Sequence, residues 1–302
     1  PPAGRRAAGV IRQDASRREL CDRTSRRRLV LSHKSRDPVA TPGSAASAVD
    51  PTTAVPAVLA AATVLAQIAY PLVSGDGRNS LTVATVLLFF AASVTHALAT
   101  RGPRFTAALV AVTAGGGLLA EAVGTHTGVP FGRYTYAGTL GPQLLGVPVV
   151  IPLAWTMMAY PALLVGRQLT QRRPGALPLV AGLALASWDL FLDPQMVAAG
   201  HWGWLDIGAT LPGVPDVPVG NYFGWLATAV LMMAVLARVL ARVPTPAGPS
   251  DDRVPMALYL WTYASSVLAN VAFFHRPAVA VIGGIGMGLV AVPLALALRR
   301  PR

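Results

Sequence analysis

Charge is scarce in this chain. Only 13% of its 302 residues are Asp, Glu, Lys or Arg, where soluble domains carry about a quarter. With 53% hydrophobic residues and a positive mean hydropathy, that deficit excludes an ordinary soluble domain. Cysteine is rarer still. The single Cys21 stands in a polar stretch, which excludes a disulfide framework and a cysteine metal site. The five histidines show no H-x-x-x-H or H-E-x-x-H spacing, so neither a zinc hydrolase nor any other metal site is expected. No internal repeat is visible, which argues against the inverted-repeat transporters. The net charge of +12 does not signal a nucleic-acid partner. Eleven of the 25 basic residues fall in residues 1–50 and the others lie mostly between apolar runs, as membrane topology requires.

What the chain does have is long apolar runs, at about 54–73, 80–99, 105–123, 148–168, 176–193, 219–241, 255–275 and 278–298. Each approaches the roughly 20 residues needed to cross the hydrocarbon core. The expected fold is all-α, a polytopic transmembrane bundle of about eight helices spanning residues 51–302. Residues 1–50, rich in Arg, Ala, Ser and Pro and without the apolar core of a signal peptide, read as a disordered cytoplasmic tail. With that tail inside, the inner connections carry Arg101, Arg104, Arg167, Arg172, Arg173, Arg238, Arg242 and Arg253, and the C-terminus returns to the same side. The outer connections carry only Arg78, Arg133 and Arg276. The asymmetry orients a multi-pass protein of the cell membrane with both termini cytoplasmic.

That topology gathers the remaining polar residues at one face. Glu121 ends the third run, and Asp189 and Asp193 end the fifth, four residues apart and so on one helical face. His126, Arg133, His201 and Asn221 belong to the outer connections or their edges, whereas His96 lies near the inner end of the second run. Acids at membrane depth are costly and mark functional sites. Carboxyls among groups such as Trp188 and Phe191 can keep a proton near neutral pH and donate it even to an alkene. Glu121, Asp189, Asp193, His126 and His201 are therefore the candidate catalytic residues. Phe131, Tyr134, Tyr136, Trp155, Trp188, Trp202, Trp204, Tyr222 and Trp225 gather at the same face. Some would form an interfacial belt and others a pocket whose ring faces attract a cation. Inside the apolar runs, Gly115 to Gly117, Gly284 and Gly288 read as close helix packing, and Pro152 and Pro161 as kinks in the fourth helix.

Several long segments also form a recognisable pattern. E-A-V-G-T-H-T-G-V-P-F-G-R-Y-T-Y from Glu121, L-G-P-Q-L-L-G-V-P-V-V-I-P from Leu140, W-D-L-F-L-D-P-Q-M-V from Trp188, G-H-W-G-W from Gly200 and V-P-V-G-N-Y-F-G-W from Val217 resemble the CruF-like carotenoid hydratases. This integral membrane family includes γ-carotene 1′,2′-hydratase and bisanhydrobacterioruberin hydratase. The resemblance covers roughly residues 54–298 and is strongest over 121–225. It implies cofactor-independent addition of water to the terminal double bond of an acyclic carotenoid ψ-end, giving a tertiary alcohol. It also implies a carotenoid substrate drawn from the bilayer and other carotenoid biosynthesis enzymes as neighbours. Arg133, Tyr134, Trp155, Trp188, Trp202, Trp204, Asn221, Tyr222 and Trp225 are the residues expected to hold that substrate.

Three other readings compete. A membrane carotenoid cyclase would use the same acid and cation but exclude water. An intramembrane prenyltransferase would need a second acidic cluster for magnesium diphosphate, and the chain offers only Glu121 there. A proton-coupled transporter would account for the acids, but not for polar groups confined to one face.

Overall fold

A computed structural model describes residues 51–243 and 251–299, with side chains from residue 54 onward. The tail expected over 1–50, Cys21, Arg300 and Arg302 lie outside the described residues. Seven α-helices make up the body: α1 (Pro51–Ala69), α2 (Asp76–Thr127), α3 (Val150–Leu169), α4 (Leu177–Ala198), α5 (Val219–Leu240), α6 (Arg253–Ala272) and α7 (Pro277–Arg299). Six of them are long and apolar enough to cross a membrane. The exception is α6, whose run is interrupted by Thr262, Ser265, Ser266 and Asn270.

The 52-residue α2 accounts for two of the expected crossings. Straight, it would reach about 78 Å at 1.5 Å per residue, far more than the roughly 30 Å hydrocarbon core. It is broken at Gly102, whose φ of 82° suits glycine, and Pro103, lacking an N–H, starts the second arm. The two arms fold back on each other. Ser93 in the first donates to the Met157 carbonyl at 3.0 Å, and Thr113 in the second meets Thr156 at 2.8 Å. Those partners are neighbours on α3. The eight expected runs thus become eight helical segments on seven helices, of which the one in α6 falls short of a membrane span by composition.

The centre of the bundle is α3, in which every residue from Trp155 to Gly166 is buried. A helix apolar on all sides belongs inside. Pro152 falls in its first turn, where a missing N–H costs little, and Pro161 sits mid-helix in an unbroken α3. The outward faces of α1, α5 and α7 expose Leu65, Leu231, Ile285 and Leu289, as lipid contact demands. Among the expected packing glycines, Gly117 makes the closest approach: an added Cβ would stand 2.6 Å from the Trp155 ring. Gly115 meets nothing, and Gly288 lies against Tyr263.

Helix directions place Arg101, Arg104, Arg167, Arg172, Arg173, Arg238, Arg242, Arg253 and Arg299 at one end of the bundle and Arg78, Arg133 and Arg276 at the other. At the arginine-rich end, buried Arg101 donates to both Asp252 oxygens at 2.6 and 2.8 Å and to the Tyr160 hydroxyl at 2.7 Å. His96 completes this cluster, meeting the Tyr160 hydroxyl and the Asp251 carbonyl at 2.8 Å each. It therefore stands apart from the outer acids.

At the opposite end the connections are not plain loops. They carry six short strands: β1 (Tyr134–Tyr136), β2 (Gln143–Leu144), β3 (Val147–Pro148), β4 (Trp202–Trp204), β5 (Thr210–Leu211) and β6 (Val214–Pro218). β2 pairs with β3 and β5 with β6 as local hairpins. β1 pairs antiparallel with β4, with Tyr134 opposite Trp204 and Tyr136 opposite Trp202. This pairing stitches the two long connections into one cover over the helix ends.

Candidate active site

Strand alternation builds the roof of the site. Successive side chains point to opposite faces, so Tyr134, Tyr136, Trp202 and Trp204 share one. All four line a cavity of about 170 Å³ beneath the β1–β4 ribbon, while Thr135 on the other face is exposed. Glu121 reaches this cavity from the end of α2, Asp193 from the end of α4 and Asn221 from the first turn of α5. Its walls carry Phe131, Trp155, Trp188, Phe191 and Trp225.

Two carboxyl centres result, and their partners differ. Glu121 accepts three hydrogen bonds: from the Tyr134 hydroxyl at 2.5 Å, the Tyr136 hydroxyl at 2.8 Å and the Trp155 indole N–H at 3.0 Å. Burial, reinforced by the Glu121 charge, pushes both tyrosine hydroxyls well above their ordinary range. They therefore stay protonated as donors, and Glu121 is held as an acceptor.

The second centre is an aspartate pair. The Asn221 amide nitrogen donates to Asp189 Oδ2 at 2.9 Å and also to Asp193 Oδ2, bridging the two carboxyls. Asp193 Oδ1 accepts from the Trp202 indole at 3.1 Å. Asp189 is fully buried one helical turn deeper and outside the cavity lining, with Oδ1 lacking a hydrogen-bond partner among the described residues. Asp193 alone of the pair faces the cavity.

Around these acids the aromatic rings form a box. Trp155 and Trp225 stack with centroids 4.2 Å apart and planes 9° apart. Trp188 meets Trp225 edge-on at 6.3 Å, and Phe131 lies 6.1 Å from Trp225. Ring faces attract positive charge, by about 2 kcal/mol or more when desolvated.

The structure does not bring every expected residue to this cavity. His126 is exposed, its Nδ1 2.7 Å from the Ala122 carbonyl. Arg133 forms an exposed ion pair with Asp206 at 2.5 Å on the outside of the cover. His201 is buried but does not line the cavity. Its Nδ1 contacts Thr139 Oγ1 at 2.7 Å, and burial lowers its proton affinity, so the ring is neutral at pH 7. Its backbone carbonyl accepts from Ala137, which places it in the support of the ribbon. Tyr222 is half-buried on α5 and likewise outside the lining.

Tyr136, expected among the aromatics at this face but not among the residues holding substrate, binds Glu121 directly. Not expected from the sequence was a polar wall from the end of α1 and the residue after it, the first arm of α2 and α6, with Gln67, Tyr70, Thr82, Thr85, Ser265 and Ser266. A signal for that wall exists in the hydroxyl residues three and four apart within otherwise apolar runs, as in Thr82/Thr85 and Thr262/Ser265/Ser266.

Comparison with known proteins adds the family. The bisanhydrobacterioruberin hydratase of Haloarcula japonica is 37% identical to this chain over 121 residues, covering 37% of this chain and 39% of that protein. The chain thus matches well under half the length of this curated relative. No solved structure matches it significantly. The family model described as carotenoid biosynthesis protein matches residues 81–291, more than two thirds of the chain, and contains both acid centres. This integral membrane helix bundle therefore belongs to the carotenoid biosynthesis protein family.

Proposed function

We propose that the protein is a carotenoid hydratase that adds water to the terminal double bond of an acyclic ψ-end, without a cofactor. The observation that carries this reading is Asp193: a carboxyl facing an aromatic-walled cavity, bridged through Asn221 to a second, fully buried carboxyl. Two carboxyls so placed hold one proton between them more readily than two negative charges. Asp193 gives that proton to the less substituted alkene carbon. The tertiary cation forms among Trp155, Trp188 and Trp225, with the Glu121 carboxyl, held as an acceptor by three donors, in the same lining. Water then captures the cation, and its surplus proton returns to the aspartate pair. The name of the Haloarcula relative supports the same reaction class.

The test is the origin of the new atoms. Purified protein in detergent, given an acyclic carotenoid in heavy-oxygen water under anaerobic conditions, yields a tertiary alcohol carrying the label. In deuterium oxide, deuterium appears at the adjacent carbon. Label arriving from oxygen gas would defeat the mechanism, and a cyclic product of unchanged mass would make the protein a cyclase.

The site-bearing end of the bundle faces away from the cytoplasm in this proposal, because the arginines gather at the other end. A cysteine introduced at Pro212 then reacts with an impermeant thiol reagent from outside the cell, and one at Arg172 does not. The reverse labelling would invert the orientation.

A further inference from the structure

The cavity has a wall that the acid chemistry does not use. Most of its polar groups are satisfied locally: Thr82 donates to the Arg78 carbonyl at 3.0 Å, and Gln67 accepts from the Trp261 indole at 2.7 Å. Two are not. The hydroxyls of Tyr70 and Thr85 are buried and have no hydrogen-bond partner among the described residues, and Tyr70 is only 7% exposed. Both residues line the cavity.

An unpaired buried hydroxyl costs about 1–3 kcal/mol, and groups of this kind are ordinarily met by ordered water. Their position suits such a role. Tyr70 packs edge-on against Phe274 at 6.2 Å. Two residues further on, Arg276 donates to the Pro194 carbonyl at 3.1 Å, immediately beside Asp193. Tyr70 thus stands at the acid end of the bundle, in the lining of the same cavity as Asp193.

We propose that Tyr70 and Thr85 form a water-binding site that presents the nucleophile to the cation. The proposal rests on the hydration reading and adds its second reactant. Asp193 transfers its proton to the alkene, whose π electrons form the new C–H bond and leave a tertiary cation beside a carboxylate. A lone pair of the held water forms the C–O bond, and the oxonium proton passes to that carboxylate. Without a positioned water the cation returns a proton from a neighbouring carbon to the carboxylate and reverts to an alkene. Hydration then fails while proton exchange continues.

The experiment compares Tyr70→Phe, Thr85→Val and the conservative Thr85→Ser in detergent, with an acyclic carotenoid in deuterium oxide. Mass spectrometry follows both the alcohol and deuterium in the recovered alkene. Removing either hydroxyl lowers alcohol formation about 10- to 100-fold, while deuterium entering unhydrated substrate rises relative to alcohol. Thr85→Ser keeps the wild-type ratio. Exchange and hydration falling in proportion in Tyr70→Phe and Thr85→Val would overturn the proposal, since that is the mark of general structural damage. Wild-type alcohol lacking carbon-bound deuterium would instead defeat the protonation mechanism itself.

Discussion

Asp193→Asn lowers alcohol formation by about 10²- to 10⁴-fold, the range contributed by a positioned general acid, while the protein still inserts and folds. The substitution preserves shape and can keep the Trp202 hydrogen bond at Oδ1, while its N–H₂ gives up the bond that Oδ2 accepts from Asn221. What it removes is the acidic proton facing the cavity. Asp189→Asn produces a smaller loss, because Asp189 lies outside the cavity lining and acts through its neighbour. Turnover of both variants, normalised to folded protein, decides the assignment. Full activity in both would remove the aspartate pair from the mechanism, and a greater loss at Asp189 would transfer the donor role to it.

Glu121→Gln is expected to cost about 10²- to 10³-fold, as loss of one preorganised electrostatic group typically does. Three donors converge on the Glu121 carboxylate. A glutamine presents one oxygen and an N–H₂ that cannot accept, so at least one of them loses its partner. The electron-rich carboxyl facing the cation is weakened as well. Because the carotenoid is uncharged until it is protonated, the loss falls on kcat and leaves KM nearly unchanged. A change confined to KM would make Glu121 part of the binding wall rather than a stabiliser of the cation.

These expectations rest on residues of unequal legibility. The carboxyls of Glu121, Asp189 and Asp193 were visible because an acid at the end of an apolar run stands out against its neighbours. Asn221 was visible as a polar residue at the start of the sixth run. Its bridge between the aspartates was not, since it depends on α4 and α5 packing side by side with their ends level. Arg133 and His126 show the opposite case. Both belong to the conspicuous segment after Glu121, yet the backbone turns them outward, to Asp206 and to the surface.

The membrane bundle, its alternating direction and the arginine-rich end follow from hydropathy and charge read along the chain. Those properties are local: whether a run of some twenty residues prefers lipid, and on which side its flanking arginines stay, depends little on the rest of the fold. The hairpin of α2 is nearly as local, because Gly102 and Pro103 carry their backbone preferences with them. The cavity is different. Tyr134 and Tyr136 turn toward Glu121 only because β1 pairs with β4, some seventy residues away, in the register that sets Tyr136 opposite Trp202. A shift of one residue would send all four aromatics to the other face. Likewise Tyr70 and Thr85 join Asp193 in one cavity lining only when α1 packs on α2 and α2 on the central α3. Side-chain periodicity says which residues share a face; which faces meet is decided by packing between segments far apart in the chain.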